Sequence, residues 1–260
     1  MISKTQIQRI RLYTHKKYRD LEEKYIIEGW KMLEEALLAG AVFDTVIYDP
    51  FIILDNYRGA LLTSVQKVTK NYYPIGASAL QDLSDTEASP GVLAVVNKED
   101  HKLTASELIM KPRRLIVVLD EINDPGNLGT IVRTCDWFAV DAVLISKNSA
   151  ELYNPKVVRS AAGSIYHLPI VPNANILEFL EDAKIAGYRL YATELQESTD
   201  IRKTNWAAQS VLVIGNEARG ISPAVSAIVD EHVMVPRFGK AESLNAAIAC
   251  GIIISQIKLQ

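Results

Sequence analysis

The sequence predicts an α/β protein in two parts, a small mixed unit followed by a larger domain built on a parallel sheet covered by helices. Three observations carry this expectation. From residue 115 onward, short apolar runs alternate regularly with helical segments. Runs such as Leu115-Ile-Val-Val-Leu119 and Val211-Leu-Val-Ile214 are continuously apolar, which implies burial on both faces and therefore parallel strands between helix layers. The first hundred residues lack that alternation, and a charged stretch separates them from the rest.

Composition narrows the function classes. The 260 residues suffice for one large domain or two modest ones, and 48% hydrophobic with 23% charged residues describes an ordinary globular chain. The longest nearly apolar run, 246–254, falls far short of the roughly 20 residues that span a bilayer. No signal-peptide core opens the chain, so a cytoplasmic protein without a membrane partner is expected. Cys135 and Cys250 make no disulfide framework, and the four histidines form no ligand-spaced cluster with them, so no metal is expected. The net charge of −3 argues against general coating of nucleic acid. Residues 1–19 nevertheless hold Lys4, Arg9, Arg11, Lys16, Lys17 and Arg19 and no carboxylate. That stripe is either a phosphate grip or a solvated helix face.

Taken in order, residues 3–18 have helical composition, 25–27 is a short apolar run, and 29–38 is an amphipathic helix. Residues 42–48 read as a strand punctuated by Pro50, and 91–96 as the last strand of a first domain over 1–97. Residues 98–112 are charged, lack strand pattern and read as a linker. In the second domain, 113–260, strands are expected at 115–119, 142–145, 167–171, 189–192, 211–214 and 232–235. Helices are expected at about 128–138, 155–162, 175–186, 222–229 and 243–257. The last is apolar on all sides, so it must be buried in the core or against another subunit.

Three polar clusters interrupt these apolar surroundings, each at a strand-to-helix turn, where open α/β sheets collect ligands. Asn127-Leu-Gly-Thr-Ile-Val-Arg133 follows the strand at 115–119. Arg133, set among Ile131, Val132, Cys135 and Trp137, has either an anionic ligand or a structural partner in Asp136 or Asp141. Gly215-Asn-Glu217-Ala-Arg-Gly220 follows the strand at 211–214. Gly215 allows close backbone approach, Gly220 a positive φ, and Ser222-Pro223 starts a helix. Ser243-Leu-Asn245 opens the last helix, where both polar side chains also suit capping. A cation, a carboxylate, amides, hydroxyls and exposed backbone N–H together suit a charged nucleotide-like ligand beside a sugar-phosphate. No G-x-G-x-x-G or P-loop pattern is present, which disfavours a nucleotide-dependent oxidoreductase.

In order and spacing these clusters resemble the three signature motifs of the SpoU (TrmH-type) RNA ribose methyltransferases of the SPOUT superfamily, over almost the whole chain. Val158 through Pro169 resembles the family's middle segment, and residues 27–36 with 89–94 are similar to its small substrate-binding domain. Arg237 stands where methionine is common in the family, and Ala139 where glycine is common. The resemblance implies S-adenosylmethionine-dependent methyl transfer to a ribose 2′-hydroxyl in RNA, with ribosomal RNA first and transfer RNA second. It implies a parallel-sheet domain whose tail forms a trefoil knot, with the site shared in a homodimer through the C-terminal domain. Gly215, Val235 and Leu244, with Thr193, would line the cofactor pocket. Arg133 would stabilise a developing alkoxide electrostatically, because a guanidinium resists giving up its proton. Asn127 and Glu217 would orient Arg133, while Ser243 and Asn245 would complete the polar cradle. A catalytically silent RNA-binding relative shares the fold, but here every reactive position of the motifs is filled.

Overall fold

A computed structural model describes residues 2–52, 55–84, 86–98, 104–110, 114–195 and 197–259. It divides the chain into two units, Met1–Asp100 with Tyr153–Tyr166, and His101–Leu152 with His167–Gln260. In the first unit β1 (Lys24–Glu28), β2 (Phe43–Tyr48), β3 (Tyr72–Pro74) and β4 (Val92–Asn97) form a sheet of order β1-β4-β2-β3. Only β2 and β3 are parallel. The apolar run at 25–27 is the buried centre of β1. The helix Asn56–Val68 and strand β3 were not expected from the pattern.

The expected helix over 3–18 is two helices, Lys4–Leu12 and Lys16–Glu22. Thr14 Oγ1 donates to Arg11 O, diverting a carbonyl at the break. Arg19, only 2% exposed, donates to Tyr13 O and Thr14 O at 2.8 Å and so caps the first helix's carbonyl end. Arg9 forks onto Glu22, Arg11 pairs with Asp82 at 3.5 Å, and Lys16 pairs with Asp20. Three of the six cations, Arg9, Arg11 and Lys16, thus meet carboxylates inside their own unit, and Arg19 is buried. Lys4 and Lys17 remain without an ion pair among the described residues.

The helix Pro155–Ala161, expected between strands of the second domain, belongs to the first unit. It packs on β1 with Val157, Val158 and Ala161 buried. The Tyr25 hydroxyl meets that of Tyr166 at 2.7 Å, and the Tyr25 and Tyr153 rings lie 4.4 Å apart. An apolar helix face does not encode which sheet will receive it.

The second unit carries β5 (Leu115–Leu119), β6 (Ala142–Ser146), β7 (Ile170–Ala174), β8 (Arg189–Thr193), β9 (Thr199–Asp200), β10 (Ser210–Ile214) and β11 (Glu231–Met234). All pair in parallel, in the order β7-β6-β5-β10-β8-β11-β9. Every residue of β5, β6 and β10 is buried, as continuous apolar runs require. The strand expected at 167–171 starts only at Ile170, because Ser164–Tyr166 is a 3₁₀ turn and Pro169 has no N–H to donate. Within the expected linker, Ala105–Ile109 is a helix with a Thr104–Glu107 capping box, and Leu108 enters the core near Ile116 and Phe179. Residues 99–103 and 111–112 of that segment lie outside the described residues. No helix of the described residues is long and apolar enough to cross a membrane.

Ala139 follows the helix Pro125–Trp137 with φ +48, a left-handed conformation that disfavours a side chain. This accounts for the glycine common there in the family. Ala139→Gly is expected to stabilise the protein by about 1 kcal/mol, read as a raised Tm in thermal denaturation.

Candidate active site at the switch point of the sheet

Chain order reverses between β5 and β10. From that junction β6 and β7 extend to one side, and β8, β11 and β9 to the other. Both loops leaving the junction's C-terminal edge belong to the polar clusters. Asp120 N donates to Ile214 O at 2.9 Å, extending the ladder by one residue. The buried Asp120 carboxylate accepts Ser222 N at 2.8 Å. Asn216 donates from Nδ2 to Glu121 O at 2.8 Å, while its Oδ1 accepts Ala218 N and Arg219 N. Asn216 and Gly220 bridge through paired backbone hydrogen bonds of 2.8 and 2.9 Å. A Cβ on Gly215 would fall 2.4 Å from Gly220 C and 2.5 Å from Ile221 N. Gly220 takes φ +71, so each glycine has a separate structural reason.

Asp124, not Asn127, caps the helix Pro125–Trp137, accepting Asn127 N at 2.8 Å. This frees the Asn127 side chain, whose Nδ2 donates to Glu217 Oε1 at 2.8 Å. Its Oδ1 accepts Asn245 Nδ2, also at 2.8 Å. Asn245 then turns its Oδ1 onto Ala247 N and Ile248 N, capping the helix Ala246–Lys258. A carboxylate only accepts hydrogen bonds, so Glu217 fixes the direction of the whole relay. Three clusters up to 118 residues apart are joined by it. Capping and site-building, alternatives in sequence, are both carried out by Asn245.

Beside the relay lies a cavity of about 630 Å³. Its walls are the loops after β8, β10 and β11 and the start of the last helix. Gly215, Val235, Leu244 and Thr193 all line it, as do Glu217 and Ser243. Ser222 stands at a helix N-cap with Pro223 following, although its side chain makes no capping bond. Sequence reasoning missed Asp120 and Asn216, the residues that lock the two loops together. A carboxylate directly after a buried strand was the only signal for the first.

Arg133 is exposed and does not line the cavity, and its side chain forms no hydrogen bond or ion pair among the described residues. Asp136 is engaged by His167 Nδ1 at 2.7 Å, and Asp141 accepts Arg114 N and Leu115 N. Neither serves as its structural partner. Within one protomer Asn127 and Glu217 bond to each other and not to Arg133. Six residues place Arg133 about 9 Å along the helix from Asn127 and on a different face.

Fold and site together define an open parallel α/β protein with a ligand cavity at the C-terminal ends of β8, β10 and β11, on one side of its topological switch point. The SpoU rRNA methylase family model matches residues 114–255, and an MRM3-like substrate-binding domain matches residues 4–94. A Bacillus subtilis relative, 23S rRNA (guanosine(2553)-2'-O)-methyltransferase RlmP, is 31% identical over 244 residues, covering 94% of this chain and 92% of its own. The 23S rRNA (uridine(2479)-2'-O)-methyltransferase of Streptomyces viridochromogenes is 30% identical, covering 89% and 81%. The crystal structure of an AdoMet-bound rRNA methyltransferase from Sinorhizobium meliloti aligns with a TM-score of 0.87 at 26% identity, over 100% of this chain and 97% of that one. The chain belongs to the SpoU rRNA methylase family.

Gly215→Ala is expected to push Gly220 and Ile221 out of place and cost about 1–3 kcal/mol, checked by the fall in Tm.

Proposed function

We propose that this protein transfers a methyl group from S-adenosylmethionine to the 2′-hydroxyl of a ribose in structured RNA, with ribosomal RNA as substrate. The observation that carries the reading is the cavity at the C-terminal ends of β8, β10 and β11, walled by Gly215 and bordered by the Glu217–Asn127–Asn245 relay. Its volume suits a nucleoside-sized ligand. The fit is local as well, because Gly215 and Gly220 line the cavity without side chains and so present main-chain atoms to a flat group. Ribosomal rather than transfer RNA is favoured because two relatives that match across both units carry 23S rRNA names.

Gly215, Val235, Leu244 and Thr193 would hold the cofactor, which when bound supplies an activated sulfonium methyl. What the chain must add is alignment of a weakly nucleophilic hydroxyl and relief of the charge it develops. Alignment alone contributes up to about 7–11 kcal/mol in favourable systems. The relay holds Glu217 at the cavity wall, which Ser243 also lines, and both would orient the ribose. Arg133 would offer a fixed positive charge to the emerging alkoxide rather than act as base.

Arg133 shares its helix face with Trp137, which is 84% exposed, and that helix packs against Ala246–Lys258, where Ile248 and Ile252 are also exposed. Such a face supports homodimerisation through the C-terminal domain, which would present Arg133 of one protomer to the cavity of its partner. A knotted tail is supported by the strand order. β10 enters between β5 and β8, and β11 between β8 and β9, so late segments insert among earlier ones. Two buried free thiols and an RNA substrate favour the cytoplasm.

In calorimetry the protein is expected to bind S-adenosylhomocysteine and not NAD. Arg133→Ala is expected to retain that binding while losing most ribose methylation, mapped in ribosomal RNA. Near-normal turnover in the variant would remove Arg133 from the reaction. Trp137→Glu combined with Ile252→Glu is expected to halve the mass seen by sedimentation and abolish methyl transfer.

A further inference from the structure

We infer that Phe238 is a stacking platform for a nucleobase of the RNA substrate, placed at the mouth of the cavity. The inference rests on the cavity being the methyl-transfer site. Phe238 lies in the loop between β11 and the last helix and lines the cavity, yet it is 86% exposed. At that exposure the ring fills no core.

One side of the ring is already organised. The Arg202 guanidinium carbon lies 5.5 Å from the ring centroid. Arg202 is itself held, since its Nε reaches both Asp200 carboxylate oxygens at 3.0 Å and its backbone N reaches Oδ1 at 2.9 Å. Those bonds from Arg202 hold the Asp200 carboxyl down at about 2, so the clamp stays charged throughout the neutral range. With 86% of the residue still exposed, the guanidinium covers little of the ring and the remainder is open.

Cations flank the platform. Arg237 makes only a 3.4 Å bond from Nη1 to Ala241 O, and Lys240 has no partner among the described residues. An open aromatic face flanked along the chain by two cations without carboxylate partners among the described residues matches a single-stranded nucleotide, with its base on the ring and its phosphates on the cations. The reaction supplies the need. A ribose entering a recessed cavity leaves its helical stack, and a protein ring at the entrance replaces the lost stacking partner.

The test uses full-length protein, S-adenosylhomocysteine and an unmodified 23S rRNA transcript, with Phe238→Ala and Phe238→Trp. Phe238→Ala is expected to leave S-adenosylhomocysteine affinity unchanged and raise both the Kd and the KM for the transcript about 5- to 150-fold. Phe238→Trp is expected to restore RNA affinity, and its added indole emission to be quenched by the transcript but not by S-adenosylhomocysteine. Parallel loss of S-adenosylhomocysteine affinity in Phe238→Ala would give the ring to the cofactor instead. Loss of the dimer in sedimentation would make it a protein contact, and an unchanged Kd and KM for the transcript would leave it no role. Each of these overturns the inference. Wild-type protein that binds no S-adenosylhomocysteine overturns the cavity reading itself, and is recognised before any variant is made.

Discussion

The parallel pairing of β5 with β10 is the constraint on which the rest of the second unit depends. Leu119 lies in register with Ile214, so the loops that follow leave the sheet side by side. Asp120 and Asn216 then tie those loops together with buried or half-buried hydrogen bonds. In such a setting a bond left unmade costs the full desolvation of its partner, about 1–3 kcal/mol. The Gly215–Gly220 turn is therefore held against the sheet instead of waving above it. Its glycines serve close approach and left-handed geometry, and the cavity wall follows from both.

The polar relay shows how little chemistry is needed to assemble a site from distant segments. Two asparagines and one glutamate suffice, because an amide is at once donor and acceptor while a carboxylate is acceptor alone. Glu217 dictates which way Asn127 faces, and Asn127 dictates Asn245. The last link reaches the N-terminus of the final helix, whose exposed N–H groups complete the chain of donors. Arg133 stands outside this chain. A guanidinium kept free of carboxylates retains its full charge for an external anion, whereas one absorbed into the relay would not.

The first unit illustrates the opposite outcome for charged residues. Six cations without a single carboxylate in nineteen residues invite a phosphate-binding reading. Folding brings Glu22 and Asp82 to two of them and buries Arg19 beneath the helix break. Local composition counts charges, but three-dimensional neighbours decide which remain available.

Much of the architecture was legible in the chain itself. β5 matches its expected bounds residue for residue, since a strand buried on both faces must be continuously apolar and is marked off by polar ends. The three clusters were visible for the same reason, as glycines and polar groups interrupting an apolar pattern. Periodicity is a property of neighbours along the chain, so it determined strands, helices and the turns between them. Only the tertiary structure decided that Pro155–Ala161 packs with the first unit, that Asp120 and Asn216 lock the loops, and that Asn127 answers to Glu217 and not to Arg133. Those outcomes depend on which surfaces and which hydrogen-bond donors meet across tens of residues, and no local pattern records such meetings.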